Sequence, residues 1–358
     1  KPVQAEAPKP QPKPQPKPFV TDYPDAYNSY IGAWQNGGLH FLKNTTSLNN
    51  KSLREAEMGV NAYLKQLVDD NIYASIPQFT LGNLYAQSAL TLNQRPLLTK
   101  GEWSISPHVW HQRDTFKRVA NQSTLNGLNL NARYGVTDNL TAGLQLSLSQ
   151  ERVTGHHGSK LKGKGQYVGA YVNSGNHTTL WRTGFILGQS ALNANRIAYN
   201  TYDLTHTTSR LKPKVGKLYT RVEHRLSLND TLSLVPHAEL SYQWLKQSAL
   251  TEQGTGSISI DPYRYQSVGA DIGTALKYHN QSALAEISLD YGVRKKAHDF
   301  TARFVHGSDF KIYSEDAHQA LRLGVSLGYQ AQNGALFKLR AEKQRKSHQI
   351  QFGFDYSF

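Results

Sequence analysis

Leu128, Leu130, Ala132, Tyr134 and Val136 share one parity along the chain, and so, beyond Thr137-Asp138-Asn139, do Leu140, Ala142, Leu144, Leu146 and Leu148. Small or polar residues fill the alternate positions. A period of two broken by a turn signal predicts a hairpin of two half-buried strands. The same texture continues to the carboxyl end and predicts twelve strands, at 101–112, 124–136, 140–153, 164–174, 178–191, 214–228, 231–247, 263–279, 282–295, 318–330, 335–345 and 347–358. Most exceed the roughly five or six residues of soluble strands and reach the roughly 9 to 11 that cross a bilayer at a tilt. Tight connections near 137, 175, 229, 280 and 332 alternate with longer polar ones at 113–123, 154–163, 192–213, 248–262 and 296–317. Such alternation is expected of an up-and-down barrel with one rim inside and one outside; only the short connection near Lys346 departs from it.

The residues opposite the apolar parity decide between a dry core and a wet one. They include Arg133, Arg221, Glu223, Arg225 and Glu239, and further on Asp271, Glu286, Arg322 and Arg340. Charges on one face of long strands suit an aqueous lumen and cannot form the dry core of a soluble sandwich. Tyr134, Tyr278, Tyr329, Tyr356 and Phe358 precede tight turns or the terminus, where an interfacial aromatic girdle belongs. The domain from 101 to 358 thus reads as all-β, a 12-stranded antiparallel up-and-down transmembrane β-barrel.

The first hundred residues read differently. Residues 1–18 hold 7 of the chain's 14 prolines and form an extended linker. Residues 19–71 read as a connector or passenger remnant, with a helix at 52–70 opened by Ser52 and Glu55 at capping-box spacing. Residues 72–100 are the approach to the barrel. There a second helix is expected at 76–94, with Ser75 as N-cap, Pro77 in its first turn and Pro96 as its stop. Gly82, Asn83, Gln87 and Asn93 make it too polar to face lipid.

Composition narrows the classes further. The 358 residues carry 40 Lys+Arg against 26 Asp+Glu, no cysteine and a mean hydropathy of -0.56. No apolar run approaches the roughly 18 to 20 residues of a spanning helix, and thiolate metal sites and disulfides are excluded. The basic residues do not cluster beside exposed aromatics on one element, so nucleic acid is not an expected partner. The opening at Lys1 has neither the n-region nor the h-region of a leader, which is expected upstream. No metal or cofactor is expected.

With the strands, the polar helix and the terminus in view, residues 72–358 resemble the translocator domain of classical monomeric autotransporters of Gram-negative bacteria. Three segments carry the likeness: YASIPQFTLGNLYAQSALTLNQR at 73–95, LSLVPHAELSYQW at 232–244, and QFGFDYSF at the end. The resemblance implies that the helix threads the pore, with Asn83, Gln87 and Asn93 bonded to lumen residues such as Arg221, Glu239 or Arg340. It implies an integral outer-membrane protein, monomeric, bounded by lipid and lipopolysaccharide. It carries its own N-terminal passenger to the cell surface and anchors it. Gln351, Gly353, Tyr356 and Phe358 match the terminal insertion signal, which the β-barrel assembly machinery would engage by strand addition.

Three parts of the chain offer candidate chemistry. An outer-membrane protease or lipase is the rival class, with rim candidates His156, His157 and Ser159, and His306, Ser308, Asp309, Asp316 and His318; neither loop shows nucleophile–base–orienter spacing. Self-cleavage, known in one branch of the family, would need Asn83 with Asp271, Glu223 or Glu239. The helix lacks that branch's paired asparagines; the one such pair, Asn49-Asn50, precedes the other helix. Lys160, Lys162 and Lys164 form a basic run suited to lipopolysaccharide phosphates or to a host surface, or simply solvated. The expectation is a pore and anchor without chemistry of its own.

Overall fold

The computed structural model describes residues 21–36, 50–92, 94–116, 122–199, 204–314 and 319–358, and of Trp34 and residues 50–57 the backbone alone. Twelve strands follow in chain order, each antiparallel to the next. They are β1 (Trp103–Thr115), β2 (Gln122–Thr137), β3 (Leu140–Thr154), β4 (Lys160–Gly175), β5 (Thr179–Tyr199) and β6 (Lys214–His224). The other half comprises β7 (Leu232–Gln247), β8 (Tyr263–Asn280), β9 (Ala283–Arg294), β10 (Gln319–Gln330), β11 (Leu336–Gln344) and β12 (Ser347–Ser357). β12 returns to β1 with partners running from Ser104↔Ser357 to Asp114↔Ser347. At the end of that seam Trp103 and Phe358 exchange both backbone hydrogen bonds at 2.9 Å. Closure leaves the wall without a free edge.

The alternation read from sequence is the wall's inside and outside. Leu144 is 63% exposed and Val268 68%, whereas Arg133 is 1% and Glu239 5% exposed. This inverts a soluble protein, since the apolar face would be costly in water and is stable only against hydrocarbon. Along β3 the outward apolar row from Leu140 to Leu148 covers about 27 Å of strand, or about 20 Å of height at a typical tilt. Trp103 and Tyr134, their ring centroids 4.9 Å apart, are exposed at the short-turn rim with Tyr278, Tyr329, Tyr356 and Phe358.

The long connections are more ordered than their polarity suggested. Leu204–Leu211 pairs with the upper part of β5, and Leu250–Thr251, Ile258–Ile260, Phe300–Phe304 and Asp309–Ile312 form a four-stranded sheet above the barrel. Two helices pack there: α1 (Pro24–Gln35), within a stretch read as plain connector, and α2 (Asn50–Val68). α1 buries Ala26, Ser29, Tyr30 and Ala33 at helical spacing, with Pro24 at its first position. Tyr30, Tyr63 and Phe304 meet with centroids 5.8 to 6.5 Å apart and join Ile258, Ile260, Phe310 and Ile312 in a core outside the barrel. α2 starts before Ser52, so that residue is not its cap. The proline-rich linker lies outside the described residues.

Candidate functional site

A third helix, α3 (Ile76–Leu92), occupies the lumen. A 3-10 turn at Ile72–Ser75 precedes it, where the Asn71 side chain accepts from the Tyr73 amide and Ser75 Oγ donates to the Ile72 carbonyl at 2.6 Å. Ser75 is therefore part of that turn and not the cap expected. Tyr73 Oη donates to Glu252 Oε1 at 2.9 Å, and Glu252 pairs with the buried guanidinium of Arg196, which fixes the helix start among the long connections. At the other end the Leu98 amide donates to Thr141 Oγ1 at 2.8 Å and the Lys100 amide to Asp138 Oδ1 at 2.9 Å, beside the tight β2–β3 turn. The chain thus passes through the whole barrel, from long-connection rim to short-turn rim, before β1 begins.

Side chains of β3 and β4 grip the helix. Asn83 Nδ2 donates to Glu151 Oε1 at 2.9 Å and to Tyr167 Oη at 2.6 Å, and Gln87 Nε2 donates to Asn83 Oδ1 at 3.2 Å. Gln145 Nε2 reaches the Gln87 carbonyl at 3.0 Å, and Tyr171 Oη donates to Gln94 Oε1 at 2.9 Å. On β6, Lys217 Nζ donates to Ser88 Oγ at 3.0 Å and to Glu239 Oε1 at 2.8 Å. These partners differ from those first expected: Arg221 and Arg340 do not reach Asn83 or Gln87, and Glu239 acts through Lys217. Asn93 lies outside the described residues. Gly82 faces β1, where an added Cβ would stand in ordinary contact, 3.4 Å from Gln112 Nε2.

Across the lumen the wall is charged. Arg322 pairs with Asp271 and sits 4.5 Å over the Tyr85 ring. Arg340 reaches Glu286 at 2.8 Å and Glu342 at 3.3 Å, while Lys277 stands 3.7 Å from Glu286. Arg221 lies 2.9 Å from Glu223, which also meets Arg182 at 3.3 Å. Arg133, on β2, forms a buried pair with Asp355 beside the seam. Arg225 does not join them: it sits in the break between β6 and the short stretch Leu226–Ser227, which still pairs with β7, and is exposed at the short-turn rim. Cavities of about 80 and 40 Å3 beside Tyr85 remain between helix and charged wall, room for a few waters and not for a chain.

At the seam, Gln351 and Gly353 face inward, and Phe358 closes the ladder with Trp103. A Cβ on Gly353 would come within 2.3 Å of the His108 ring, so glycine is required where that imidazole crosses the wall. Tyr356 and Phe358 lie outward, their rings stacked at 6.2 Å.

Glu151, Gln145, Tyr167 and Tyr171 escaped the sequence reading. Glu151 was legible, since Ser147, Ser149 and Glu151 oppose the leucines of β3. The tyrosines break the rule that aromatics face lipid, and glycines are their signal: a Cβ on Gly143 would meet the Tyr171 ring at 2.4 Å, and one on Gly188 the Tyr167 ring at 2.1 Å. Each ring lies over a bare stretch of wall and turns its hydroxyl to the helix.

The rim histidines form no such constellation. His156 and His157 occupy a short turn, and Ser159 Oγ, beside them, donates to the Ile197 carbonyl at 3.1 Å. Asp309 pairs with Arg303 at 2.7 Å; Asp316 and His318 lie outside the described residues. Among the described residues no three metal-ligating side chains converge.

Wall, lumen and threaded helix define a helix-plugged membrane β-barrel with one polypeptide passage. Residues 110–342 match the family described as Autotransporter beta-domain, and the chain belongs to that family. The translocator domain of the autotransporter NalP from Neisseria meningitidis superposes with a TM-score of 0.63 at 14% identity, covering 77% of this chain and 95% of that one. The transport unit of the autotransporter AIDA-I from Escherichia coli gives a TM-score of 0.51 at 11% identity, covering 78% and 98%. At those identities the likeness is one of fold. A comparison with curated proteins finds no match. The chain is an outer-membrane translocator barrel of a Gram-negative bacterium.

Proposed function

We propose that the pore carries the polypeptide N-terminal to α3 to the cell surface and then anchors it there. The observation that carries this reading is the single covalent path. Residues before Ile76 emerge at the long-connection rim, α3 fills the lumen, and the barrel begins at the opposite rim. In this reading α3 is the last segment to enter, and it closes the pore behind the passenger. Gly82, Asn83 and Gln87 belong to the plug. Arg133, Arg221, Glu223, Glu239, Asp271, Glu286, Arg322 and Arg340 line the lumen around it. The assembly machinery reads the terminal strand through Gln351, Gly353, Tyr356 and Phe358, and lipopolysaccharide surrounds the long-connection rim.

The chain performs no chemistry on a substrate. Asn83 is held by Glu151, Tyr167 and Gln87, and in this reading its amide serves to fix the helix in register. An epitope placed before Thr21 should be shaved by protease from intact cells, on a chain that otherwise runs at full length and shifts mobility on heating. Protection of the epitope until the outer membrane is opened would overturn the orientation. Tyr356→Ser with Phe358→Ser should abolish the heat-sensitive folded band while synthesis continues.

A further inference from the structure

The outer face of the barrel from β2 onward carries two grooves, one above the other on the β2–β4 side. The lower, of about 780 Å3, is lined by Leu128, Leu130, Leu146, Leu148, Val168 and Leu187, reaches Lys214 and Trp244 on β6 and β7 at its far end, and faces hydrocarbon over its apolar stretch. The upper, of about 600 Å3, is polar and lies between Thr124, Gln150, Arg152, Lys162 and Lys164. Register makes them continuous: Leu148 pairs with Gln166, Gln150 with Lys164 and Arg152 with Lys162. Arg152 stands four residues beyond Leu148, about 13 Å along the strand, which places it at headgroup height just above the apolar belt. Arg152, Lys162 and Lys164 all point outward and are exposed, and none is in an ion pair among the described residues. Glu151 contributes to the upper groove but turns its carboxylate inward to Asn83.

We propose that this face is a binding site for the phosphorylated glycolipid of the outer leaflet, with acyl chains along the lower groove and sugar phosphates on Arg152, Lys162 and Lys164. An apolar groove fits any lipid tail. Three uncompensated cations clustered at one height select a headgroup carrying more than one phosphate, because each adds its own attraction at the membrane surface. The assignment rests on the long connections facing outward, since only the outer leaflet holds such a lipid.

The test is binding of diphosphorylated lipid A to the purified full chain in nonionic detergent, with heat-shifted mobility certifying the fold of every variant. Arg152→Ser, Lys162→Ser and Lys164→Ser together should weaken binding about 100-fold, at about five-fold per cation. Val168→Trp, which fills the lower groove and leaves the charges, should also weaken it. Lys295→Ser with Lys296→Ser, exposed basic residues just past the end of β9 on the far side of the barrel, should change nothing. Unchanged binding by the triple variant would overturn the proposal. So would equal affinity for lipid A stripped of phosphate, or an equal loss in the Lys295/Lys296 control, which would mean a general cationic rim. A failed epitope test would strike the orientation and with it the outer-leaflet assignment, whereas unchanged binding by the triple variant would strike this site and leave the orientation standing.

Discussion

Strands β3 and β4 meet the pore helix with Gln145, Ser149, Tyr167 and Tyr171 around a single carboxylate, Glu151, whereas β8 to β11 face it with ion pairs directed mostly at one another. The first surface is specific. Asn83 and Gln87 find their partners in one register of the helix, and a shift by a residue would leave buried amides unpaired, at about 1–3 kcal/mol each. The second surface satisfies itself: Glu286 has Arg340 and Lys277, Asp271 has Arg322, and among the described residues the helix supplies this wall with the Tyr85 ring over Arg322. A self-paired, hydrated wall gives a passing chain little to stick to. The lumen therefore divides into a side that holds the final segment and a side that lets the preceding ones slide.

Removing the helix tests that division most severely. A chain beginning at Gln94 should still fold, because the charged wall tolerates water and the closed ladder does not include α3. In planar bilayers it should conduct steadily, where the full chain stays closed. Loss of the heat-shifted band on deletion would show that the helix builds the wall, and the two-sided picture would fail.

Which side was which could not be read from the sequence, although much else could. Parity assigned Arg133, Glu239 and Arg322 to the lumen, because a strand offers only two directions. It could not say which strands face each other across the pore, since that depends on tilt and stagger accumulated over twelve strands. Hence Arg221 and Arg340 were matched to Asn83, when Glu151 and Tyr167 stand beside it. The outer sheet failed for another reason. Ile258 and Ile260, and Phe300, Ala302 and Phe304, do alternate, but over runs too short to stand out from the polar loops around them. α1 was hidden by tyrosines and asparagines, although Pro24 marked its start.

Two single substitutions sharpen the comparison by separating stability from closure. Arg340→Met removes, among the described residues, the only ion-pair partner of Glu342 and one of three on Glu286, beside Lys277 and Lys338, leaving carboxylates short of partners inside the barrel. It should cost about 3 kcal/mol, read as a lower temperature for loss of the folded band, with the pore still silent in bilayers. Glu151→Leu should cost less, about 1–2 kcal/mol, because Asn83 keeps Tyr167 and Glu151 has no ion-pair partner to strand. It nevertheless loosens the clamp, so brief openings should appear in single-channel records. The crossed outcome, leak in Arg340→Met and silence in Glu151→Leu, would place the grip on the charged wall and reverse the roles given to the two sides.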